Sequence, residues 1–222
     1  MAKYRLGVMG TFKNKVGIVV GRKWRNLNVM SAYQGDVKNP NTSKQQIVRM
    51  KFGTLSSLAA AFSKAVRYGY AGVSAGTKVP QRCAFIKENY ENQVVGVTLP
   101  DTINVDYTLM QVSKGSHMEA SFGSPQFDEP LTVTVAFSYE IIADFSKATD
   151  KVHLVVYNPG DNRVVMAQAA ASAHTISCVV PNAWNGEIVH VWAFVVDGDV
   201  EGLPTDPNQV SNSHYIGNGS IS

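Results

Sequence analysis

Residues 7–33 read GVMGTFKNKVGIVVGRKWRNLNVMSAY, and residues 34–66 continue QGDVKNPNTSKQQIVRMKFGTLSSLAAAFSKAV. The first run has the period of a strand. Val16, Ile18 and Val20 alternate with their neighbours, as Leu27, Val29 and Ser31 do with Asn26, Asn28 and Met30. The reading is a basic β-hairpin, with Gly21-Arg22-Lys23 as the turn and Trp24 and Arg25 entering the return strand. The second run changes period. Pro40 keeps Asn39 out of helical space, and Thr42-Ser43-Lys44-Gln45 fits a capping box. Val48, Phe52, Leu55, Ala59, Phe62 and Val66 then fall at spacings of four and three. That stripe predicts a helix from about Thr42 to Arg67, with the stripe buried. Gly53 weakens it locally.

Outward from this stretch, residues 1–15 are rich in Gly and Lys and read as an arm. Residues 68–80, with Gly69, Gly72 and Gly76, read as a flexible connector. They lack the Gly-x-x-x-x-Gly-Lys-Ser/Thr of a phosphate loop. Residues 81–92 read as a short helix carrying Phe85, Ile86 and Tyr90. From Gln93 the pattern becomes short strands between Gly, Pro, Asn and Asp clusters: 93–98, 103–112, 131–142, 151–158, 162–169, 174–180, 187–197 and 208–216. Strands at such spacing predict an antiparallel β-sandwich. Trp192 and Phe194 lie on one face of their strand and Val191, Ala193 and Val195 on the other, so that strand is predicted to be central and buried on both sides. The domains expected are 1–92 (arm, hairpin and helix) and 93–222 (sandwich), the sandwich folding alone.

The 222 residues carry a net charge of only +3, with 45% hydrophobic residues. The charge is strongly divided. Residues 1–100 hold 16 Lys and Arg against 3 Asp and Glu, while residues 101–222 hold 4 against 14. A basic part facing an acidic part suits an anionic partner, either nucleic acid or the acidic part of another copy. Cys83 and Cys178 are too few for a disulfide framework, and Cys178, in the run ISCVV, is predicted to be a buried thiol. No signal peptide and no apolar run of spanning length is found, so membrane insertion is not expected.

Several runs resemble known proteins. DKVHLVVYNPGDNRV (150–164), VPNAWNGEIVHVWAFVV (180–196) and QVSNSHYIG (209–217) resemble an Ig-like or fibronectin type III-like sandwich. GTFKNKVGIVVGRKWR (10–25), NPNTSKQQIVRMKF (39–52), LMQVSKG (109–115) and VSNSHYIG (210–217) together resemble a domain-of-unknown-function family of Bacteroidota and their phages. Such a family transfers no functional residue. Its phage-like company implies a structural or assembly role, by association alone.

Catalytic signatures are not found. His117, His153, His174, His190 and His214 share no metal-ligand spacing, and Gly-x-Ser-x-Gly is absent. Asp197, Asp199 and Glu201 offer alternating oxygens of the kind calcium takes, but an EF-hand loop needs more ligands and a closing Glu. A solvated loop accounts for them. No catalytic residue, metal or cofactor is therefore assigned. The positive signal is Arg22, Lys23, Trp24 and Arg25 with Lys13, Lys15, Arg49 and Lys51, cations beside an aromatic that suit an interface or an anion. The expectation is a non-enzymatic building block of a multimeric assembly, a phage virion protein of head or tail. It would be made in the host cytoplasm and contact copies of itself and neighbouring virion proteins. One alternative is a nucleic-acid-binding protein using the basic half. Another is a carbohydrate- or protein-binding adhesion module using exposed loop aromatics such as Trp184.

Overall fold

The computed structural model describes residues 2–4, 13–24, 27–35, 40–98, 102–128, 130–142, 145–200 and 202–221. The protein is mainly β, with several antiparallel sheets and a few helices. It divides into two compact units, 1–42 and 43–222. The division expected near residue 92 is corrected, because the helices share a core with the strands that follow them.

The first unit is a four-stranded antiparallel sheet of β1 (Ala2–Tyr4), β2 (Asn14–Val16), β3 (Val19–Trp24) and β4 (Leu27–Ala32), in the order β1-β4-β3-β2. The hairpin is real, but its turns lie elsewhere than expected. Val16 pairs with Val19, so Gly17 and Ile18 form a two-residue loop. Gly17 has φ +58, the left-handed conformation that primed hairpin turns require at their first central position. Gly21, Arg22 and Lys23 are strand residues of β3, and Trp24 ends that strand opposite Leu27.

The second unit opens with α1 (Ser43–Ala61), α2 (Ser63–Gly69), α3 (Ala71–Ser74) and α4 (Gln81–Glu91). The long helix expected to Arg67 stops at Ala61 and resumes at Ser63. Leu55, Ala59, Phe62 and Val66 of its stripe are buried, but Val48 and Phe52 are about half exposed. Residues 68–80 are not a free connector. Gly69 and Gly72 lie in or between helices, and a Cβ on Gly69 would stand 2.6 Å from the Val112 carbonyl oxygen. These glycines let the helices approach the neighbouring chain.

A two-stranded ribbon follows, β5 (Val95–Thr98) with β6 (Thr102–Val105). The strand expected over 103–112 ends there, and Tyr107–Leu109 is a 3-10 turn. The remaining strands are β7 (Ser121–Phe122), β8 (Gln126–Asp128), β9 (Thr132–Ser138), β10 (Lys151–Asn158), β11 (Arg163–Ala170), β12 (Thr175–Val179), β13 (Ile188–Val196) and β14 (His214–Ser220). They form one sheet in the order β11-β10-β13-β14 and another in the order β12-β9-β7, with β8 also on β9. The strand expected over 208–216 begins only at His214.

The two sheets share a core of Val133, Val135 and Ile176 from one and Val152, Leu154, Val191 and Ala193 from the other. On the opposite side of the β10–β13 pair, Val155, Tyr157, Trp192 and Phe194 meet the helices. The Trp192 strand is thus central and buried on both sides, as its sequence predicts. Phe62 is the hub of the helix-facing core. Its ring lies 4.8 Å from Tyr157 and 5.5 Å from Trp192, edge-on to the latter. A fragment starting near Gln93 would leave this aromatic layer in water, a cost that counts against the strands folding alone.

Candidate functional site

The basic residues singled out in the sequence are divided between the two units. In the first unit, pairing places Lys15 opposite Val20, Val20 opposite Ser31, Arg22 opposite Val29 and Trp24 opposite Leu27. Directly opposed residues share a face, so Lys15, Arg22 and Trp24 project from one side and Lys23 from the other. Lys13 precedes β2 and is exposed. Arg25 lies outside the described residues. Arg49 and Lys51 stand on α1, in the second unit, where the Lys51 ammonium lies 6.0 Å from the Tyr90 ring centroid.

The face of the first sheet that carries Lys15 combines cation and aromatic. Lys15 Nζ sits 3.5 Å from the centroid of the Tyr33 ring, a close cation–π contact. A shallow concavity of about 1060 Å³ is lined there by Lys15, Ile18, Val20, Arg22 and Tyr33, among others. Among the described residues of this unit, Val29 is the one large apolar side chain that is buried, while Ile18 is 82% and Val16 61% exposed. A single-layer sheet with so little buried apolar surface does not carry its own core.

A second place was not legible in the sequence. His117, Tyr139 and Asp150 converge in the second unit. The Tyr139 hydroxyl donates to Asp150 Oδ2 at 2.6 Å, and His117 Nε2 lies 3.2 Å from the same oxygen. The backbone amides of Lys147 and Gly198 donate to the Asp150 carboxylate, each at 2.9 Å. The other ring nitrogen of His117 faces the Asn208 carbonyl at 3.0 Å. Burial alone would push the Asp150 carboxyl up. Hydrogen bonds from Tyr139, from the two amides and from His117 outweigh it and hold the group below its ordinary value. Burial, and then the Asp150 carboxylate, push the Tyr139 hydroxyl far up. Every polar group in this set has a partner inside the protein. The arrangement ties the start of β10 to three loops.

This network forms part of a cleft of about 750 Å³ whose lining also includes Ile142, Phe145, Asp197 and Asp206. No signal in the sequence announces it, because its members come from separate segments. Asp199 is ion-paired with Lys147, and Asp197 Oδ1 accepts from the Asp199 amide at 3.0 Å, as in an Asx turn. Among the described residues no three His, Cys, Asp or Glu are placed to hold a metal ion. Glu201 lies outside the described residues.

Two other expectations can be placed. Cys178 is buried and Cys83 exposed, both as free thiols. Burial pushes the Cys178 thiol up to about 11. Trp184, the aromatic named for glycan binding, is buried, with its indole N–H 3.3 Å from Asp161 Oδ2. It is core rather than platform, which removes the feature offered for the adhesion reading. No helix among the described residues is long and apolar enough to cross a membrane.

Two of the quoted runs lie against each other. Val112 N donates to Ser213 Oγ and Ser113 Oγ to the Ser211 carbonyl, both at 2.8 Å. His117 N donates to the Val210 carbonyl at 3.0 Å. Ser113, Ser211 and Ser213 are buried. LMQVSKG and VSNSHYIG therefore form one polar seam between the helix layer and the β10–β13 sheet. A search among curated proteins finds no match. A family model does match, over residues 10–217, and so takes in β2 to β4 of the basic sheet, the helices, both β-layers and the seam: the chain belongs to the family of unknown function DUF6266.

Proposed function

We propose that this protein is a non-enzymatic structural building block of a multimeric assembly, a phage virion protein, made in the host cytoplasm. The observation that carries the reading is the first unit. It is a basic sheet with Val16, Ile18, Trp24 and Tyr33 at least half exposed and, among its described residues, one buried large apolar side chain. Apolar side chains on a single-layer sheet gain free energy when another surface covers them. Residues 1–42 carry eight Lys and Arg against one Asp, while the rest of the chain is net negative. A copy of the same chain therefore supplies the complementary charge.

We also assign the facing sheets to the Ig-like or fibronectin type III-like class. In support, the seven-strand grammar runs β8-β9-β12 in one sheet and β11-β10-β13-β14 in the other. The departure is the helix layer over β10 and β13, a face that a free-standing sandwich leaves in water.

The test is sedimentation velocity and electron microscopy of the full chain at low and high salt over a wide concentration range. Ordered multimers are expected. Trp24→Ala is expected to weaken them more than Arg22→Ala or Lys23→Ala alone, because apolar burial supplies most of the affinity and charge supplies steering. A protein that stays monomeric throughout rejects the reading. The second reading is nucleic-acid binding, favoured by Lys15, Arg22 and Trp24 on one face. Salt-sensitive binding of single-stranded DNA by the monomer would put it first.

A further inference from the structure

The segment after β9 holds large apolar side chains out in water by construction. Phe145 is 71% and Ile141 60% exposed. Ser146 fixes the turn beneath them: its hydroxyl donates to the Glu140 carbonyl at 2.7 Å and accepts from the Ile142 amide at 2.6 Å. The Phe145 and Ser146 amides both donate to the Ile142 carbonyl at 3.0 Å. Lys147 then anchors the far side through its amide on Asp150 and its ammonium on Asp199. The result is a braced apolar knob at the mouth of the cleft that Asp197 and Asp206 line. Glu140 is exposed beside it. Among the described residues lining this cleft the lysine is Lys147, and it is paired with Asp199.

We infer that this acid-rimmed knob is the surface on which a second copy seats its basic N-terminal sheet. The inference rests on the self-association proposed above and names its acceptor side. Both halves of the contact are on this chain. The sheet offers exposed Ile18 and Trp24 among Lys15 and Arg22, and the acceptor offers exposed Ile141 and Phe145 beside Glu140 and Asp197. Exposed apolar centres ringed by opposite charge combine burial with register. Donor and acceptor are different surfaces of the same chain, so the contact is head-to-tail and builds rings or filaments.

The experiment uses full chains. An equal mixture of unlabelled and isotope-labelled protein is cross-linked with a zero-length carbodiimide and read by mass spectrometry. Cross-links between copies are expected to join Lys13 or Lys15 to Glu140 or Asp197. In parallel, Phe145→Ser and Glu140→Lys are each expected to weaken association, the former by about tenfold or more. Adding Lys15→Glu to Glu140→Lys should recover part of the loss. Multimers that persist in Phe145→Ser, with cross-links between copies falling elsewhere, overturn this surface and leave self-association standing. A wild type that never associates overturns the self-association itself. If Phe145→Ser fails to fold, the wild-type cross-link map decides alone.

Discussion

The side-chain amide of Asn89 pairs with both backbone polar groups of Gln111. Asn89 Nδ2 donates to the Gln111 carbonyl at 3.0 Å, and the Gln111 amide donates to Asn89 Oδ1 at 2.8 Å. Asn89 Nδ2 also reaches the Phe85 carbonyl at 2.9 Å, and Asn89 is fully buried. One residue of α4 thus supplies the partners that an absent strand would have given Gln111. Asn89→Leu removes both and buries an unpaired amide, and is expected to cost about 2–4 kcal/mol in urea unfolding. Asn89→Asp keeps the acceptor but sets a carboxylate against two carbonyls. It should be destabilising as well, and less so where acid protonates it.

Phe62 joins helix to sheet, with its ring against both Tyr157 and Trp192. Phe62→Ala is expected to lose about 3–5 kcal/mol. A fragment covering 93–222 should show no cooperative thermal transition, because it lacks the whole layer that Phe62 belongs to. A sharp transition with native-like near-ultraviolet circular dichroism would show that the helix layer is dispensable.

Gly69 presses against the Val112 carbonyl and Ser113. Gly69→Ala puts a methyl carbon where backbone already stands. The expected loss is about 1–3 kcal/mol, despite the better helix propensity of alanine. Gly53→Ala is the control. Nothing lies within 4 Å of its Cβ position, so propensity alone acts, and a gain of up to about 1 kcal/mol is expected.

His153 is stacked between Tyr68 and Phe194, at 5.5 and 5.1 Å. Burial, and then Lys151, lower its pKa to about 4. An unfolded histidine titrates near 6.5, so below that pH the folded state binds fewer protons than the unfolded one. The associated stability is present above pH 6.5 and falls as pH drops towards 4, by roughly 3 kcal/mol in all. His190, also lowered by burial, adds in the same direction. His153→Phe should flatten this part of the stability–pH curve. An unchanged curve would mean that other groups carry the acid sensitivity.

How far the sequence could be read depended on where a residue's partners lie. β10 and β13 were legible because apolar residues occupy both parities of KVHLVVYN and IVHVWAFVV, which only a strand covered on both sides tolerates. Leu55, Phe62 and Val66 followed from helical period. Val48 and Phe52 share that period, but periodicity does not say where the covering layer stops. Gly69 and Gly72 looked like a linker because a packing glycine and a linker glycine are the same letter. Lys15, Arg22 and Lys23 were found as cations, while their division between two faces required the register set by Gly17. The His117–Tyr139–Asp150 network and the Asn89–Gln111 pair had no signal, since each joins polar residues from separate segments.

The seam between residues 112–117 and 207–213 also sets an order of events. Val112 finds the Ser213 hydroxyl 101 residues later, and Gly115 packs on the Val210 carbonyl. Contacts of such separation form late, after the entropy of closing a long loop has been met. In the folded protein the Val112 amide has the Ser213 hydroxyl as its partner, so its protection waits for this closure. Closure of the helix–sheet junction is therefore expected to follow formation of the local elements on either side of it. In refolding of the full chain followed by pulsed amide exchange, Val112 is expected to gain protection later than the amides of β10.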